Sequence, residues 1–381
     1  MTIDFSRIPS PCYVIEESRL RKNLKLIKDV KEKSGAEIIL AFKGFAMWGV
    51  FPILHEYGFN QATASSLCEA ILAFEEMGAP AHTYAPIYTD DEIDEIIRLS
   101  SHITFNSLSQ FERFYPSILA SGKSISVGLR VNPEYSEVTT ALYNPCSPGS
   151  RLGILADKLG KTLPKGIDGL HFHALCESNP NELQKVLASF ESRFGKYLSQ
   201  VKWVNFGGGH LMTREGYDTE LLIATIHAFK LRYPHLQVIL EPGSAFAWDT
   251  GFLVSTIEDI VENKGTTTAI LNVSFTAHMP DCLEMPYKPA ILGASDEASG
   301  KPTYRMGGNS CLAGDYMGNW SFDQPLKVGD KVVFNDMIHY TMVKTCTFNG
   351  VKHPSIGVWN DKSGFKLLRE FGYEDYKNRL S

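Results

Sequence analysis

Four groups that could carry chemistry stand at the ends of short apolar runs. Lys43 directly follows Ile38–Phe42, His173 ends GLHFH, three glycines at 207–209 follow KWVNF, and Glu241 ends LQVILE. A partly desolvated lysine has a lowered pKa and can form a Schiff base. Consecutive glycines let backbone N–H groups approach a phosphate, while a carboxylate can keep a pyridine nitrogen protonated and an imidazole can stack on the ring. Together the four groups predict a site for pyridoxal 5′-phosphate (PLP).

Each group alone has a simpler explanation. Lys43 could merely end a strand and extend to solvent, and the glycine triplet could be only a tight loop. His173 could be a hydrogen-bonded core residue, and Glu241, which precedes Pro-Gly, could be a turn carboxylate. The conjunction of all four at successive strand ends is more specific than any one of them.

The elements that would position these residues alternate between strands and helices. Eight strands are predicted at Ile38–Phe42, Gln61–Ser66, His82–Tyr88, His102–Asn106, Ser124–Asn132, Gly169–His173, Lys202–Phe206 and Leu236–Glu241. Helices are predicted at Glu17–Lys33, Met47–Tyr57, Leu67–Met77, Asp90–Leu99, Leu108–Leu119, Asn181–Leu198 and Asp218–Leu231. This alternation is typical of a (β/α)8 TIM-type barrel, which carries its chemistry at the C-terminal strand ends. An open sheet of eight parallel strands would be long, and no GxGxxG motif follows the first strand to support a dinucleotide fold.

The pattern changes after residue 245. Short β-rich runs with Gly, Pro and Asn punctuation are predicted as strands at Gly251–Ile257, Thr268–Val273, Thr303–Met306, Lys331–Phe334 and Tyr340–Phe348. We therefore expect a PLP-binding barrel over residues 20–245 and a C-terminal, mainly β domain over 246–381.

Composition narrows the class of protein. Of the 381 residues, 44% are hydrophobic and 21% are charged, as in soluble globular proteins. The net charge of −6 argues against non-specific nucleic-acid binding and mildly favours cationic ligands. No apolar run is long enough for a membrane span, and no secretion signal begins the sequence. Seven scattered cysteines without zinc spacing fit a reducing cytoplasm and predict no metal site.

The motifs resemble those of the fold-type III PLP-dependent decarboxylases of ornithine, arginine and diaminopimelate, a family that joins an alanine-racemase-like barrel to a β domain. AFKGF resembles the family's PLP-lysine motif, GLHFH its stacking histidine, FGGGH its glycine loop and EPG its pyridine-nitrogen carboxylate. GGNSCLAGD resembles the segment with the catalytic cysteine, here Cys311, and YTMVKTCTFNG the segment whose tyrosine reaches the phosphate. The cofactor-binding residues implied are Lys43, His173, Gly207, Gly208, Gly209, Glu241, Gly243, Ser244 and Tyr340.

The resemblance also implies how the chain assembles. In this family the site lies between one barrel and the β domain of the other subunit, so we expect a homodimer in which Cys311 acts in the partner's site. Residues 1–19 are expected to add an N-terminal strand to the β domain.

Within the family, LAFKGFAMWGVF, ATASSLCEA and GGNSCLAGD are most similar to the carboxynorspermidine/carboxyspermidine decarboxylases of polyamine biosynthesis. Leu312 stands where ornithine and diaminopimelate decarboxylases have an acid, and Ser244 stands where many members have a phosphate-binding arginine. The acids expected near a longer cationic substrate are Asp281, Glu284 and Asp315, with Leu312 beside them. Residues at the end of the second strand that we expect to line the site are Thr63, Ser65 and Glu69.

Three alternatives remain open at this point. One is a decarboxylase of diaminopimelate or another basic amino acid. Another is a racemase, but racemases of this fold place an arginine at the pyridine nitrogen and use a tyrosine as second base, so Glu241 and Cys311 argue against it. The third is a non-catalytic PLP-binding protein, which would resemble the barrel alone.

Overall fold

The computed structural model describes residues 3–381. The chain divides into two compact units. One unit is Asn23–Phe246, and the other combines the segment up to Lys22 with Ala247–Ser381. Within residues 3–381, no helix has both the length and the apolar character needed to cross a membrane.

The unit Asn23–Phe246 contains a parallel sheet that curls into a nearly closed (β/α)8 barrel. Its strands are Glu37–Ile38, Leu40–Ala41, Ala62–Ala64, Ala81–Tyr84, Ser100–Phe105, Ser126–Arg130, Gly169–His171, Trp203–Asn205 and Gln237–Leu240. The first two are halves of one strand, interrupted at Ile39. The earlier half pairs with the eighth strand and the later half with the second, so the sheet returns to its own beginning. The barrel prediction is confirmed, and the open-sheet alternative is excluded.

Helices alternate with the barrel strands as predicted, with ends shifted by a few residues. They are Glu17–Ser34, Phe51–Glu56, Leu67–Leu72, Ile93–Leu99, Leu108–Ala120, Pro180–Phe194, Thr219–Arg232 and Ser244–Ala247. Three of them begin after a side chain that accepts a backbone N–H of the first turn, namely Ser66, Ser107 and Asp218. The segment predicted to continue the third helix forms a π-helical turn over Ala73–Met77 and ends at Gly78, whose φ is 74°.

Trp203 fills part of the barrel interior. Its indole N–H donates to Ser126 Oγ at 2.8 Å, and it packs with Ile39 and Ile239. A Cβ atom on Gly169 would lie 2.0 Å from the indole, so this neighbouring strand position has to be glycine. The ring therefore determines how closely these strands approach one another.

The second unit is built on a mixed β-sheet. Its strands are Cys12–Glu16, Gly251–Asn263, Thr266–Leu271, Ala294–Ser295, Thr303–Gly307, Tyr316–Phe322, Lys331–Asn335, Ser355–Asn360 and Gly364–Arg369, with helices at Phe275–His278, Pro280–Glu284 and Tyr373–Lys377. The N-terminal strand Cys12–Glu16 runs antiparallel to Gly251–Asn263 and parallel to Ser355–Asn360. Sequence-distant segments thus form one sheet.

One strand prediction in this unit is wrong. Tyr340–Phe348 forms no strand, and the carbonyl of Tyr340 instead accepts the N–H groups of Val343 and Lys344 at 3.1 and 3.0 Å. Tyr340 has a φ of 36°, which a β-strand does not allow. Local turn hydrogen bonds here replace those of a sheet.

Candidate active site

Lys43 follows the first barrel strand and lines a cavity of about 180 Å³ at the C-terminal strand ends. The turn after it is tight, since Gly44 N–H donates to the Ala41 carbonyl at 3.0 Å. A Cβ on Gly44 would lie 2.8 Å from Cα of Gly243, so the two backbones pack directly on each other. This contact leaves no room for a side chain at position 243, which explains the glycine there. A phosphate contact for Gly243 stays a prediction.

Five other residues predicted for the site line the same cavity, namely Thr63, Ser65, His173, Gly208 and Glu241. Glu69 lies close by and serves the helix that starts after Ser66: its carboxylate accepts the Ser65 N–H at 2.6 Å, while Ser66 Oγ accepts the Glu69 N–H at 3.2 Å. These two bonds form a capping arrangement that holds the cavity edge. Burial raises the pKa of Glu69, opposed by the Ser65 N–H and by Lys43.

Lys43 and His173 face each other across this cavity. Nζ of Lys43 lies 3.4 Å from Nε2 of His173, and the Gly208 N–H donates to Nδ1 of the same ring at 2.8 Å. Because Nδ1 accepts, the neutral imidazole carries its proton on Nε2, towards the amine. The lysine reaches solvent through the cavity mouth, but the surrounding protein and then the Arg130 guanidinium lower its pKa. This setting favours the neutral, nucleophilic amine.

Glu241 is a buried carboxylate that stays ionised. Nδ2 of Asn205 donates to its Oε1 at 2.6 Å, and Nε2 of His171 lies 3.4 Å from its Oε2. Burial by itself raises the pKa of Glu241, but His171 and Asn205 outweigh this effect and lower the pKa to about 2. Glu241 therefore presents a fixed negative charge to the cavity.

The glycine triplet uses two of its three amides to orient side chains. The N–H of Gly207 donates to Oδ1 of Asn205 at 2.8 Å, and that of Gly208 donates to His173. A Cβ on Gly208 would lie 2.6 Å from the Glu241 carbonyl oxygen, so the loop packs closely on the eighth strand. The N–H of Gly209 has no protein acceptor among residues 3–381, but Gly209 does not line the cavity, so a phosphate contact for this amide stays a prediction.

The sequence interpretation missed several residues that line the cavity, among them Tyr84, Arg130 and His171. The Arg130 guanidinium lies 4.7 Å from the centre of the Tyr84 ring and donates to the His173 carbonyl at 3.4 Å. Two signals were available, a charged residue at the end of the apolar run SVGLRV and a second histidine in HFH. Both lie at the strand end where barrels carry their chemistry.

The predicted catalytic cysteine lies in the second unit. Cys311 is exposed, and its backbone N–H donates to Oδ1 of Asn349 at 2.8 Å. Asp315 is buried and accepts the backbone N–H groups of Phe275, Thr276 and Ser310 at 2.7, 3.2 and 3.0 Å. These contacts give Asp315 a structural role in the loop that carries Cys311, and a substrate contact for it stays a prediction.

The other predicted residues of this unit differ in how far their charges are already paired. Asp281 is buried; its Oδ2 accepts from Tyr287 at 2.9 Å and Thr341 at 3.0 Å, and its Oδ1 has no partner among residues 3–381. Glu284 forms an ion pair with Lys344. Leu312 is 47% exposed and Tyr340 is half-buried, and their roles stay predictions. In the barrel unit, Ser244 is buried, and its role at the phosphate also stays a prediction.

Comparison with known proteins agrees with this geometry. A family model described as pyridoxal-dependent decarboxylase, C-terminal sheet domain, matches residues 12–338. A carboxyaminopropylagmatine decarboxylase from Synechocystis is 54% identical over 98% of this chain and 96% of its own, and a carboxynorspermidine/carboxyspermidine decarboxylase from Campylobacter jejuni is 47% identical over 98% and 99%. The crystal structure of C. jejuni carboxynorspermidine decarboxylase complexed with norspermidine has a TM-score of 0.89 at 46% identity, covering 98% of this chain and all of that one.

The residues of the cavity fit PLP. They supply an amine of lowered pKa, a planar imidazole and a buried ionised carboxylate, the groups that an aldehyde, a pyridine ring and its nitrogen require. The racemase alternative requires an arginine where Glu241 stands. The chain therefore belongs to the pyridoxal-dependent decarboxylases, in the group that includes the carboxynorspermidine/carboxyspermidine decarboxylases, and PLP is its cofactor.

Proposed function

We propose that this enzyme decarboxylates carboxynorspermidine and carboxyspermidine to norspermidine and spermidine. The observation that carries the proposal is the full-length similarity to the C. jejuni structure that holds norspermidine, the amine left when carboxynorspermidine loses CO2. The mildly acidic chain and the apolar Leu312 beside Cys311 agree with a long cationic substrate.

Each of the barrel residues Lys43, His173 and Glu241 has a separate role toward the cofactor. Bound PLP would supply an electron-accepting pyridinium ring for the electron pair that stays on the substrate's α-carbon when CO2 leaves. Lys43 provides the attachment point and can also accept and return a proton, because its pKa is lowered and its Nζ lies 3.4 Å from Nε2 of His173. Glu241 keeps the ring nitrogen protonated, and His173 covers a ring face.

We infer that Cys311 returns a proton to the substrate's α-carbon, from the partner subunit of a homodimer. Its exposure on the loop Gly308–Asp315 and the hydrogen bond that fixes its backbone support this role. A thiol is able to donate a proton at neutral pH, and an exposed side chain is free to enter a neighbouring site.

A second candidate substrate is carboxyaminopropylagmatine, which the 54% identical Synechocystis relative favours. It presents a guanidinium where the carboxylated triamines present an ammonium. Asp281, with one carboxylate oxygen unpaired among residues 3–381, is the acid we propose for the distal cation.

Kinetics on a substrate panel test the proposal. CO2 release would be followed with carboxynorspermidine, carboxyspermidine, carboxyaminopropylagmatine, diaminopimelate, ornithine and lysine. We expect kcat/KM for the best carboxylated triamine to exceed that for ornithine, lysine and diaminopimelate at least about a hundredfold. A clear preference for carboxyaminopropylagmatine would establish the second candidate, and a preference for ornithine or diaminopimelate would overturn both.

A further inference from the structure

Asn205 ends the seventh barrel strand and holds two parts of the site at once. Its Nδ2 donates to Oε1 of Glu241 at 2.6 Å, and its Oδ1 accepts the N–H of Gly207 at 2.8 Å. Because a backbone N–H can only donate, Oδ1 must face Gly207 and the NH2 group must face Glu241. The two partners therefore determine the orientation of this amide.

Asn205 is itself held firmly. It is buried, and its strand neighbours are His171 on one side and Ile239 on the other. Its carbonyl accepts the N–H of Phe172 at 2.9 Å. A short, buried side chain on a paired strand has little rotational freedom, so both of its hydrogen bonds have fixed geometry.

A second link joins the same two parts through the backbone. The N–H of Glu241 donates to the Gly207 carbonyl at 2.8 Å, which fixes where the glutamate side chain begins. The Asn205 amide then fixes where its carboxylate ends, with Nε2 of His171 beside the other oxygen at 3.4 Å. The glycine loop and the carboxylate are thus held together at two points.

We propose that Asn205 is a positioning residue that sets the separation of the glycine loop (207–209) and the Glu241 carboxylate, so that one cofactor molecule contacts both. The proposal rests on the roles proposed above for the loop at the phosphate and for Glu241 at the ring nitrogen. Phosphate and ring nitrogen belong to one compact molecule, so the groups that bind them must keep a constant separation. The residue has to be an amide, because an aspartate would place a second carboxylate against Glu241.

The variant Asn205→Asp tests this role directly. It keeps the acceptor for Gly207 and replaces the donor to Glu241 by a carboxylate. Two carboxyl groups in contact can share one proton at low pH and repel each other once both are ionised. We expect the apparent Kd for PLP, measured by tryptophan fluorescence quenching, to exceed the wild-type value about tenfold at pH 8 and much less at pH 6. The ratio of the two Kd values is the readout, because titration of Lys43 and of the phosphate affects both proteins.

Two further variants make the result interpretable. Asn23→Asp is the matched control: Asn23 is also buried, donates to the Phe246 carbonyl at 3.4 Å and does not line the cavity, so its Kd ratio should not change with pH. The double variant Asn205→Asp/Glu241→Gln removes one of the two charges, and its Kd relative to Glu241→Gln should also be independent of pH. If Asn205→Asp fails to fold, the double variant should still fold and bind PLP.

A ratio for Asn205→Asp that stays constant between pH 6 and 8, or failure of both Asn205 variants to fold, would overturn the positioning role. The experiment contains no substrate, so it is separable from the substrate panel. A pH-independent ratio in an enzyme that decarboxylates carboxynorspermidine refutes only the role of Asn205, whereas a pH-dependent ratio in an enzyme that prefers ornithine refutes only the proposed substrate.

Discussion

The backbone N–H of Cys311 is bound by the side chain of Asn349, 38 positions further along the chain. Asn349 has a φ of 55°, a left-handed conformation that asparagine tolerates better than most residues, and Gly350 follows it with a φ of 68°. Ser310, the residue before the cysteine, donates its backbone N–H to the Asp315 carboxylate at 3.0 Å. The backbone on both sides of the thiol is therefore fixed while the thiol itself remains exposed.

Removing the Asn349 side chain, which accepts the Cys311 N–H, should increase protonation at the wrong carbon. In Asn349→Gly the left-handed backbone is retained without strain, but Cys311 loses its hydrogen bond. If Cys311 is the proton donor, the proton then returns more often to the wrong carbon, and we expect the ratio of aldehyde to amine product to rise at least about threefold, as the loss of one neutral hydrogen bond allows. Chromatography of the products measures this ratio. Asn349→Asp keeps the acceptor and should restore it, and an unchanged ratio in the glycine variant would argue against the positioning of Cys311 by Asn349.

Cys311→Ala should spare PLP binding and dimerisation but cripple correct turnover, with slow inactivation through the same wrong-carbon product. Because the thiol is expected to act in the partner's site, mixing Cys311→Ala with Lys43→Ala subunits should restore roughly a quarter of wild-type activity in a statistical mixture of dimers. Activity is measured after subunit exchange has been demonstrated. No recovery under those conditions would place Cys311 in its own chain's site or outside the chemistry.

Lys43→Ala should abolish covalent attachment of the cofactor, because the other predicted site residues offer no second amine. We expect the wild type to be yellow and to retain the cofactor after borohydride reduction and dialysis, and the variant to retain none. Absorbance and mass spectrometry of the reduced proteins measure the attachment. A reduced, cofactor-bearing Lys43→Ala protein would contradict the assignment of this lysine.

Glu241→Gln should lower kcat far more than it weakens PLP binding. The carboxylate is expected to act electronically on the transition state, while a glutamine of the same shape can still pack beside Asn205 and His171. Steady-state kinetics and the Kd for PLP are compared on the same preparation. Equal losses in both quantities would make Glu241 a structural turn residue.

Leu312→Asp should narrow the gap between long and short substrates. A short diamino acid buries its terminal ammonium without an acidic partner near Leu312, which costs several kcal/mol. The hundredfold preference expected of the wild type corresponds to roughly 2.7 kcal/mol, and the new acid should recover part of it by improving ornithine and diaminopimelate. Leu312→Asn is the neutral control, and equal kcat/KM values for the two variants on ornithine would show that charge at this position does not select the substrate.

The barrel and the functional residues at its strand ends were predictable, because both follow from short stretches of sequence. A buried parallel strand is a continuous apolar run, so Lys43, His173 and Glu241 stand out where such runs end. The contacts between these ends were not predictable, because the packing of Gly44 on Gly243 and the bonds of Asn205 join segments that meet only in the folded barrel.

The wrong strand over Tyr340–Phe348 has a related cause. Its Thr and Val residues favour a strand by propensity, but the left-handed backbone at Tyr340 and Asn349 commits the segment to turns. The structural role of Asp315 was not predictable either, because the three backbone amides that donate to its carboxylate meet it only in the folded unit.

The divided first strand of the barrel closes the sheet by pairing with the eighth strand. Ile38 pairs with Leu240, and this pairing, together with the packing of Gly44 on Gly243, brings the segment that carries Lys43 to the segment that carries Glu241. We expect contacts between segments about two hundred residues apart to form late, because closing so long a loop costs more chain entropy than pairing strands joined by one short helical crossover. A nascent chain that ends at the seventh strand has Lys43 and His173 but lacks Glu241 and the strand that closes the barrel. We therefore expect stable retention of PLP only after the eighth strand has been synthesised and paired.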